Sequence, residues 1–252
     1  MTDELVAAFN LHGPERIEAA ATMYAAQQVA SDSVRELTKI AYGRLLDAHL
    51  LIVGVLATGM LRTNGKIVSA THTSVERSAL FAAYFIGMDL CERAIEEGRY
   101  LQAHALLRQE METLAQLKAV RHGSRNESRS PNIAVLEESI RRIYSELSSA
   151  AHLSAHHIVR QATSYEVTNV VDLPGPTSGT RFFPDFNEQI ARTSFTLHLI
   201  LTAGVIEEYA NEVSAQHKEE DCFTARDIET ISVAMRLMES EGMIEIGPQI
   251  PE

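Results

Sequence analysis

Apolar residues recur at intervals of three and four along most of the chain, which is the spacing of one face of an α-helix. The clearest stretch is residues 187–216, where Phe195, Leu199, Ile206 and Tyr209 follow this period. The pattern as a whole predicts helices over residues 14–30, 33–61, 73–98, 99–120, 131–161, 187–216 and 224–241. We therefore expect an all-α fold, a helical bundle of about seven to eight helices.

Local start signals support several of these helices. Pro14 suits a first helical position because the N–H that it lacks would be unpaired there. Ser33 with Glu36, and Thr73 with Glu76, have the spacing of a capping box, in which two side chains satisfy backbone amides. Further start signals are Ser130 with Pro131 and Thr224 with Asp227.

Residues 165–186 interrupt the helical pattern. Two short runs typical of strands, residues 166–171 and 180–183, flank a segment rich in proline and glycine. We predict a β-hairpin or a long ordered loop at this point. The predicted organisation is a single domain over residues 1–252, divided into an N-terminal helix (1–30), core helices (31–164), the insert (165–186), C-terminal helices (187–241) and a tail (242–252).

Charge is unevenly distributed along the 252 residues. The net charge of −12 argues against a sequence-independent binder of duplex DNA, which needs a positive surface. Residues 206–252 contain twelve acids and three bases, so they carry −9 of this total. Within that segment Glu207 and Glu208 follow an apolar face and are predicted to lie at the solvated surface with partial burial. One basic loop contains Lys118, Arg121, Arg125 and Arg129, and it is either a solvated loop between helices or a local contact site for RNA or an anionic ligand.

Cysteine content and hydropathy point to a cytoplasmic protein. Cys91 and Cys222 are too few for a disulfide framework, which suits a reducing compartment. The chain starts with an acidic segment, whereas a signal peptide starts with a basic one. The longest apolar run, residues 50–61, is shorter than the ~20 residues of a membrane span, so it predicts a buried core helix. We expect no membrane span, and self-association as a dimer through apolar helices.

One motif suggests ribonuclease chemistry. Arg44 and His49 match the Arg-x4–6-His signature of the HEPN superfamily, whose resemblance implies a metal-independent ribonuclease with an arginine for phosphate charge and a histidine for proton transfer. Residues five apart are about 140° apart around an ordinary α-helix, so these side chains do not converge. The same spacing occurs in Arg99/His104 and Arg192/His198, about as often as chance placement predicts.

A histidine cluster suggests a metal site. His152 and His156 are four residues apart, which would place both on one face of a continuous helix. A third ligand is needed, and Asp89, Glu112 and Asp172 are the candidates. The alternative is that these histidines are structural residues satisfied by hydrogen bonds.

A second arrangement combines two helices. Arg108 and Glu112 have the spacing of a same-face ion pair. Tyr144, Ser148 and His152 lie on one stripe of the helix after Pro131, and polar groups on a stripe that faces the core need partners. We predict that these five residues meet in one polar network. The network either fixes the register of the helices or forms a pocket for a small ligand.

This pair of segments resembles a bacterial family of uncharacterised helical proteins. The family motifs are Arg-x3-Glu, matched by Arg108 and Glu112, and Tyr-x2-Leu-Ser-x3-His, matched by Tyr144, Ser148 and His152. The similar order of elements extends over residues 75–215. The resemblance implies a helical bundle and gives weight to these five residues, but it implies no substrate.

Two classes of function follow from the sequence. The first is a binding or interaction protein, with a small molecule or RNA as candidate ligand and, by analogy with the resembling family, a bacterial regulatory or defence role. The second is an enzyme, either a metal-independent ribonuclease using Arg44, His49 or His152, or a metal-dependent hydrolase at His152 and His156. No motif predicts a resident cofactor.

Overall fold

The structure, a computed structural model, describes residues 3–66, 71–125, 130–154, 156–167, 177–217 and 222–245. Within these residues it contains eight α-helices and one small hairpin, which confirms the predicted all-α bundle. The helices are α1 (Asp3–Tyr42), α2 (Leu45–Thr63), α3 (His72–Glu96), α4 (Tyr100–Arg121), α5 (Glu138–Ala151), α6 (His156–Thr163), α7 (Glu188–Gln216) and α8 (Ala225–Ser240). A short 3-10 helix, Ile133–Val135, precedes α5.

Helix α7 is the centre of the bundle. It contacts α1, α2, α3 and α4, and its buried residues include Phe195, Leu199 and Leu201. Helix α8 packs along α2, and α5 packs along α4. Asn187 caps the start of α7 by accepting a hydrogen bond from the amide of Ile190. The side chains that α7 presents in several directions therefore meet residues from four other helices.

The first two helices divide at a different place from the one predicted. α1 runs without a break from Asp3 through Pro14 to Tyr42, so the predicted helix start at Ser33 is wrong. The break comes at Gly43, whose φ of +50° is in the left-handed region that favours glycine. Ser31, which is buried, lies on the face of α1 that packs against the bundle. Packing of that face keeps the helix continuous there.

Two later helix starts follow the capping-box rule. For α8 the predicted pair is confirmed, since Thr224 and Asp227 exchange side-chain and backbone hydrogen bonds. For α3 the box consists of Thr71 and Ser74, two residues before the predicted one. A hydroxyl at the third helical position completes this box in place of the carboxylate that the motif usually supplies.

The predicted helix over residues 131–161 is wrong. Residues Ile133–Val135 form a 3-10 turn, α5 ends at Ala151, and α6 begins at His156. Between the two α-helices, Leu153 has a φ of +54°. A left-handed residue ends a helix because it turns the next carbonyl away from the axis.

The predicted interruption over residues 165–186 contains a hairpin. Strands β1 (Ser164–Val167) and β2 (Thr177–Thr180) pair antiparallel, with Ser164 opposite Thr180. The predicted hairpin is therefore confirmed in the strands that the structure describes. Its connecting residues, 168–176, including Asp172, lie outside the described residues.

Two helices of this bundle are only partly covered. Every residue from 14 to 26 of α1 is exposed, so the N-terminal part of α1 extends away from the bundle. α2 is long and apolar enough to cross a membrane by length and composition alone, yet only 33% of its most apolar window is buried. The predicted buried core helix at residues 50–61 is thus buried on one face and exposed on the other.

A charged cluster lies in the core between α3, α4 and α7. Arg77 contacts the carboxylates of Glu208 and Glu212, and Arg121 lies 3.0 Å from the other oxygen of Glu208. The prediction of a solvated Glu207 and Glu208 is half wrong, because Glu207 is exposed whereas Glu208 is fully buried. A buried carboxylate is tolerated here since two guanidinium groups compensate its charge.

Candidate functional site

Four helices bring ionisable side chains together in the interior of the bundle. His49 comes from α2, Glu92 from α3, Glu110 from α4 and His198 from α7. His198 is fully buried, and Glu110 nearly so, whereas His49 and Glu92 are partly exposed. The site therefore starts in the core, at His198, and ends at the partly exposed side chains of His49 and Glu92.

The two histidines approach the same carboxylate oxygen. Glu92 Oε1 lies 3.0 Å from His49 Nε2 and 3.3 Å from His198 Nε2. The second ring nitrogen of His198, Nδ1, lies 2.9 Å from both oxygens of Glu110. Since a carboxylate accepts hydrogen bonds, Nδ1 carries a hydrogen and donates it to Glu110. Both nitrogens of His198 are thus oriented by acids on two different helices.

Electrostatics favour the charged forms of these groups. Burial raises the pKa of Glu92, but hydrogen bonds from His198 and His49 outweigh burial and hold this pKa at about 2. Burial lowers the pKa of His198, but the carboxylate of Glu110 and the other partners raise it well above its usual range. In the metal-free site a protonated His198 therefore lies between the acids Glu92 and Glu110.

An aromatic stack holds the two imidazoles. The Phe195 ring stacks on Tyr42 with a centroid distance of 4.0 Å, and it contacts the rings of both His49 and His198. Phe195 and Tyr42 are both buried. Close packing of this kind limits the rotamers of the rings, so the stack preorganises the histidines.

A thiol lies beside the inner half of the site. Cys91 Sγ, a carboxylate oxygen of Glu110 and a ring nitrogen of His198 lie within 4.8 Å of one another. Burial raises the pKa of Cys91 to about 11, so the thiol is protonated at neutral pH. A protonated thiol is a poor metal ligand and a poor nucleophile, and we assign Cys91 to the packing around His198.

The predicted polar network between α4 and α5 is present for four of its five residues. Arg108 Nε donates to Glu112 over 2.9 Å, and Tyr144 OH donates to the same carboxylate oxygen over 2.7 Å. Arg108 Nη1 lies 3.1 Å from His152 Nε2, and the guanidinium stands over the Tyr144 ring. The described residues show no hydrogen bond from the Ser148 hydroxyl, so Ser148 is not part of the network.

The network lies nearer the surface than the sequence suggests. The side chains of Arg108 and Glu112 are each about a quarter exposed, and His152 is exposed at the end of α5. The charge of Arg108 is matched by Glu112, and the Nε and Nη1 atoms of Arg108 and the Oε1 atom of Glu112 are used within the network. The arrangement joins α4 to the end of α5 and presents no free charge for a ligand.

The arginine–histidine pairs do not converge. Arg44 is exposed in the turn before α2, whereas His49 points to Glu92. Arg192 binds the backbone of Ala41 and the carboxylate of Glu241, while His198 lies in the buried site.

The third pair is Arg99 and His104. Arg99 contacts Glu97 at the surface, and Nδ1 of His104 is buried without a partner among the described residues. The geometry thus gives none of these pairs a shared phosphate position.

The two histidines of the predicted metal cluster lie on different helices. His152 follows the last residue of α5, and α6 begins at His156. The one-face spacing that suggested a metal site therefore has no basis. Of the candidate third ligands, Asp89 binds Arg93 and Glu112 belongs to the Arg108 network. Across the described residues, the groups with metal-ligand geometry contain neither His152 nor His156.

A separate open cleft lies on the other side of α7. Its volume is about 1000 Å³, and α7 forms its floor between α5 and α8. Its lining is mostly apolar and includes Ile140, Ile143, Ile200, Ala203, Ile231 and Met235. None of the residues of the Arg108 network lines it. The predicted pocket for a small ligand thus has a counterpart, but at a different place.

No family model matches the chain, and neither the curated proteins nor the solved structures contain a match.

The sequence motifs include two of the four residues of the buried site, for a different reason, and miss the other two. His49 appears in them as the partner of Arg44, and His198 as the partner of Arg192. Glu92 and Glu110 do not appear. A usable signal is the position of His198 among Phe195, Leu199 and Leu201 on a strongly apolar helix, because a histidine there must have a buried partner.

Proposed function

We propose that the protein binds one divalent transition-metal ion through His49, Glu92 and His198, and that this ion acts on small molecules that reach it past the partly exposed His49 and Glu92 side chains. The observation that carries the proposal is the approach of two imidazole Nε2 atoms to one oxygen of Glu92. This departs from the sequence-based expectation that no cofactor is present.

The donor set suits such an ion. Two ligand atoms that each lie about 2.1 Å from a metal ion are about 3.0 Å apart when the ligand–metal–ligand angle is a right angle. They are about 3.4 Å apart when this angle is tetrahedral. The distances from Glu92 Oε1 to the two Nε2 atoms, 3.0 and 3.3 Å, fall in this range. All three ligand atoms lie within 4.8 Å of one another. Two histidines and one carboxylate are the ligands of mononuclear Fe²⁺ sites and of catalytic Zn²⁺ sites.

Glu110 supports the proposed metal site because it positions the ring of His198. By accepting the Nδ1 hydrogen of His198, its carboxylate leaves Nε2 as the nitrogen available to a metal. Such acid–histidine–metal arrangements are common around catalytic ions, because the acid fixes the ring and raises its basicity. Metal binding at Nε2 of His198 displaces a proton, so the proton on this ring competes with the ion.

The number of ligands favours a catalytic ion over a structural one. A structural zinc site is usually closed by four protein ligands, whereas three ligands leave positions open for water or substrate. When bound, the ion supplies Lewis acidity or activates a bound water. The residues of this chain hold the ion, and the partial exposure of His49 and Glu92 gives solutes access.

Titration of the purified chain with Co²⁺ tests the proposal, because the visible absorption of Co²⁺ reports its ligands. We expect one ion per chain. His198→Gln and His49→Gln should abolish stoichiometric binding, and Glu110→Gln should weaken it about 10- to 100-fold as an outer residue. The control is His104→Gln, another partly buried histidine on α4 that lies outside the site. Failure of the unaltered chain to take up Co²⁺ or Zn²⁺ would contradict the proposal.

A second candidate function rests on the cleft between α5 and α8. Its volume of about 1000 Å³ and its apolar lining fit a drug-sized apolar molecule, which sites in helical bundles commonly bind. The probe is Nile red, a neutral apolar dye. Ala203→Trp narrows the cleft and should reduce binding, whereas Ala105→Trp, at an exposed position of α4 outside the cleft, should not. Equal binding by both variants would exclude the cleft as the site.

A further inference from the structure

The side of the molecule formed by α1, α2 and α3 exposes large apolar residues. Twelve of the eighteen exposed large hydrophobic residues belong to these three helices. On α2, Leu50, Ala57 and Leu61 are exposed at helical spacing. On α3, Ala82 and Ile86 are also exposed and lie four residues apart on one face of the helix. We call the exposed surface of these two helices the α2–α3 face. Contiguous apolar surface of this kind marks an interaction site.

The α2–α3 face is also uncharged. α2 carries no acid, lysine or arginine between Asp47 and Arg62, and α3 carries none between Arg77 and Asp89. The contact of His49 with Glu92 links the start of α2 to the end of α3. A helix that is apolar on all sides is normally buried on all sides, so the exposed half of α2 requires a covering element.

The same chain contains a helix segment without support. Residues 17–30 of α1, which we call the arm, hold ten apolar residues and one charge, Glu18. Ile17, Ala20, Ala21 and Tyr24 form a stripe at helical spacing, and all four are exposed. An isolated helix of this length is marginally stable in water, so the arm also requires a packing partner.

We propose that the protein is a two-fold dimer in which the arm of each copy packs on the α2–α3 face of the other. A helix rises 1.5 Å per residue, so the arm is about 21 Å long, and the segment of α2 from Leu50 to Leu61 is about 18 Å long. Half of the curved surface of a helix about 10 Å across and 21 Å long is about 330 Å². Two arms and the surfaces that they cover then remove about 1,300 Å² from water, which exceeds the ~1,000 Å² that a specific interface needs.

The charge distribution favours a second copy over a lipid bilayer as the covering element. Helices that lie on membranes carry lysine and arginine on their polar side, whereas the arm contains neither. The opposite side of α2 packs against α7 and α8, so α2 has protein along one side. A two-fold dimer covers both the arm and the α2–α3 face, because each copy supplies one arm and one face.

Light scattering coupled to size exclusion tests the dimer with the full chain. The expected mass is twice the chain mass of 27.9 kDa. Ile86→Asp on the face and Tyr24→Asp on the arm should each raise the dimer dissociation constant about 100-fold, since symmetry places the new charge in two contacts. Both positions are exposed, at 78% and 65%, and every residue from 14 to 26 is exposed in the monomer, so at least the arm variant should fold normally.

The matched control is Ile228→Asp, which is 70% exposed on α8 and lies away from the face. This variant should remain a dimer. A photoreactive benzophenone side chain in place of Tyr24 should cross-link to peptides of α2 or α3 from the other copy. The proposal would be overturned if the unaltered chain were a monomer, if Ile228→Asp dissociated the dimer, or if the cross-links led to α1 or α8. It would also be overturned if the unaltered chain floated with phosphatidylglycerol vesicles and Ile86→Asp abolished this flotation.

Discussion

Arg77 and Glu208 form an ion pair in the core of the bundle, with the Nη1 and Nη2 atoms of the arginine each 3.3 Å from Glu208 Oε2. Arg77 also donates to the backbone carbonyls of Leu117 and Glu208, so its guanidinium joins α3, α4 and α7. Both side chains are almost completely buried. This pair sits at the opposite end of α3 from the candidate metal site, and its role is structural.

Removal of this arginine should be costly. Arg77→Met leaves the Glu208 carboxylate with less compensation in the core, and breaking one side of a buried pair costs about 3–5 kcal/mol. Urea unfolding followed by circular dichroism measures this loss. Arg93→Met, which removes an exposed ion pair with Asp89 on the same helix, should cost less than 1 kcal/mol. Similar losses in the two variants would contradict the burial of Arg77.

The Arg108 network should contribute far less stability. Because Arg108 and Glu112 are a quarter exposed, we expect Arg108→Ala to cost about 1 kcal/mol. The larger loss expected for a fully buried pair does not apply here. Arg142→Ala, which removes the exposed pair with Glu138 on α5, should cost about 0.3–0.5 kcal/mol. If Arg108→Ala lowers the free energy of unfolding by more than about 3 kcal/mol, the quarter exposure of Arg108 and Glu112 is contradicted.

The contribution of Asp227, at the start of α8, to the free energy of unfolding should depend on pH. Burial raises the pKa of Asp227, but hydrogen bonds from Arg62 and Thr224 outweigh it, so this pKa lies below its usual range. A depressed carboxyl pKa stabilises the fold above the unfolded value of ~3.9, and this contribution is lost as the pH falls toward the folded pKa. Asp227→Asn should therefore lower the unfolding free energy at pH 7, and the difference from the unaltered chain should shrink below about pH 4.

Urea unfolding at a series of pH values measures this difference. Glu229→Gln is the control, because Glu229 is an exposed acid on the same helix. A difference between Asp227→Asn and the unaltered chain that stays constant down to the acid limit would contradict the ion pair with Arg62.

Gly98 should resist substitution for two separate reasons. It has a φ of +70°, and a Cβ placed there would lie 2.9 Å from both the Asp185 carbonyl oxygen and Val34 Cγ1. Gly98→Ala should therefore cost more than the ~1 kcal/mol of an unfavourable φ alone. Gly65→Ala isolates the conformational part, because Gly65 has a φ of +77° and open space around it. Equal thermal unfolding shifts in the two variants would mean that the segment at Asp185 moves away freely.

Much of the fold follows from local pattern, but the helix boundaries depend on packing. Periodicity predicts the helices correctly because each has an apolar face that must be buried. The boundary between α1 and α2 was missed at Gly43, because Ser33 and Glu36 have capping-box spacing but lie inside a continuous helix. Nothing local distinguishes a cap from a helix interior when tertiary contacts hold the helix together.

The polar network and the buried site differ in how far local sequence predicts them. Arg108 and Glu112 share a helix face, and the spacing of Tyr144 and His152 on the next helix suggested their contact correctly. The buried site joins four helices, with His49 and His198 149 positions apart in the sequence numbering. Which helices become neighbours is a property of the whole fold, and spacing along one helix carries no information about it.

The continuity of α1 has a mechanical consequence. The helix is about 60 Å long, and only its C-terminal third is held by the bundle. At that held end Tyr42 stacks on Phe195, whose ring touches both His49 and His198. The outer part of α1 and the residue that packs on this stack therefore belong to one continuous helix. Anything that grips the outer part of α1 is joined through that helix to the side chain that packs against the imidazole site.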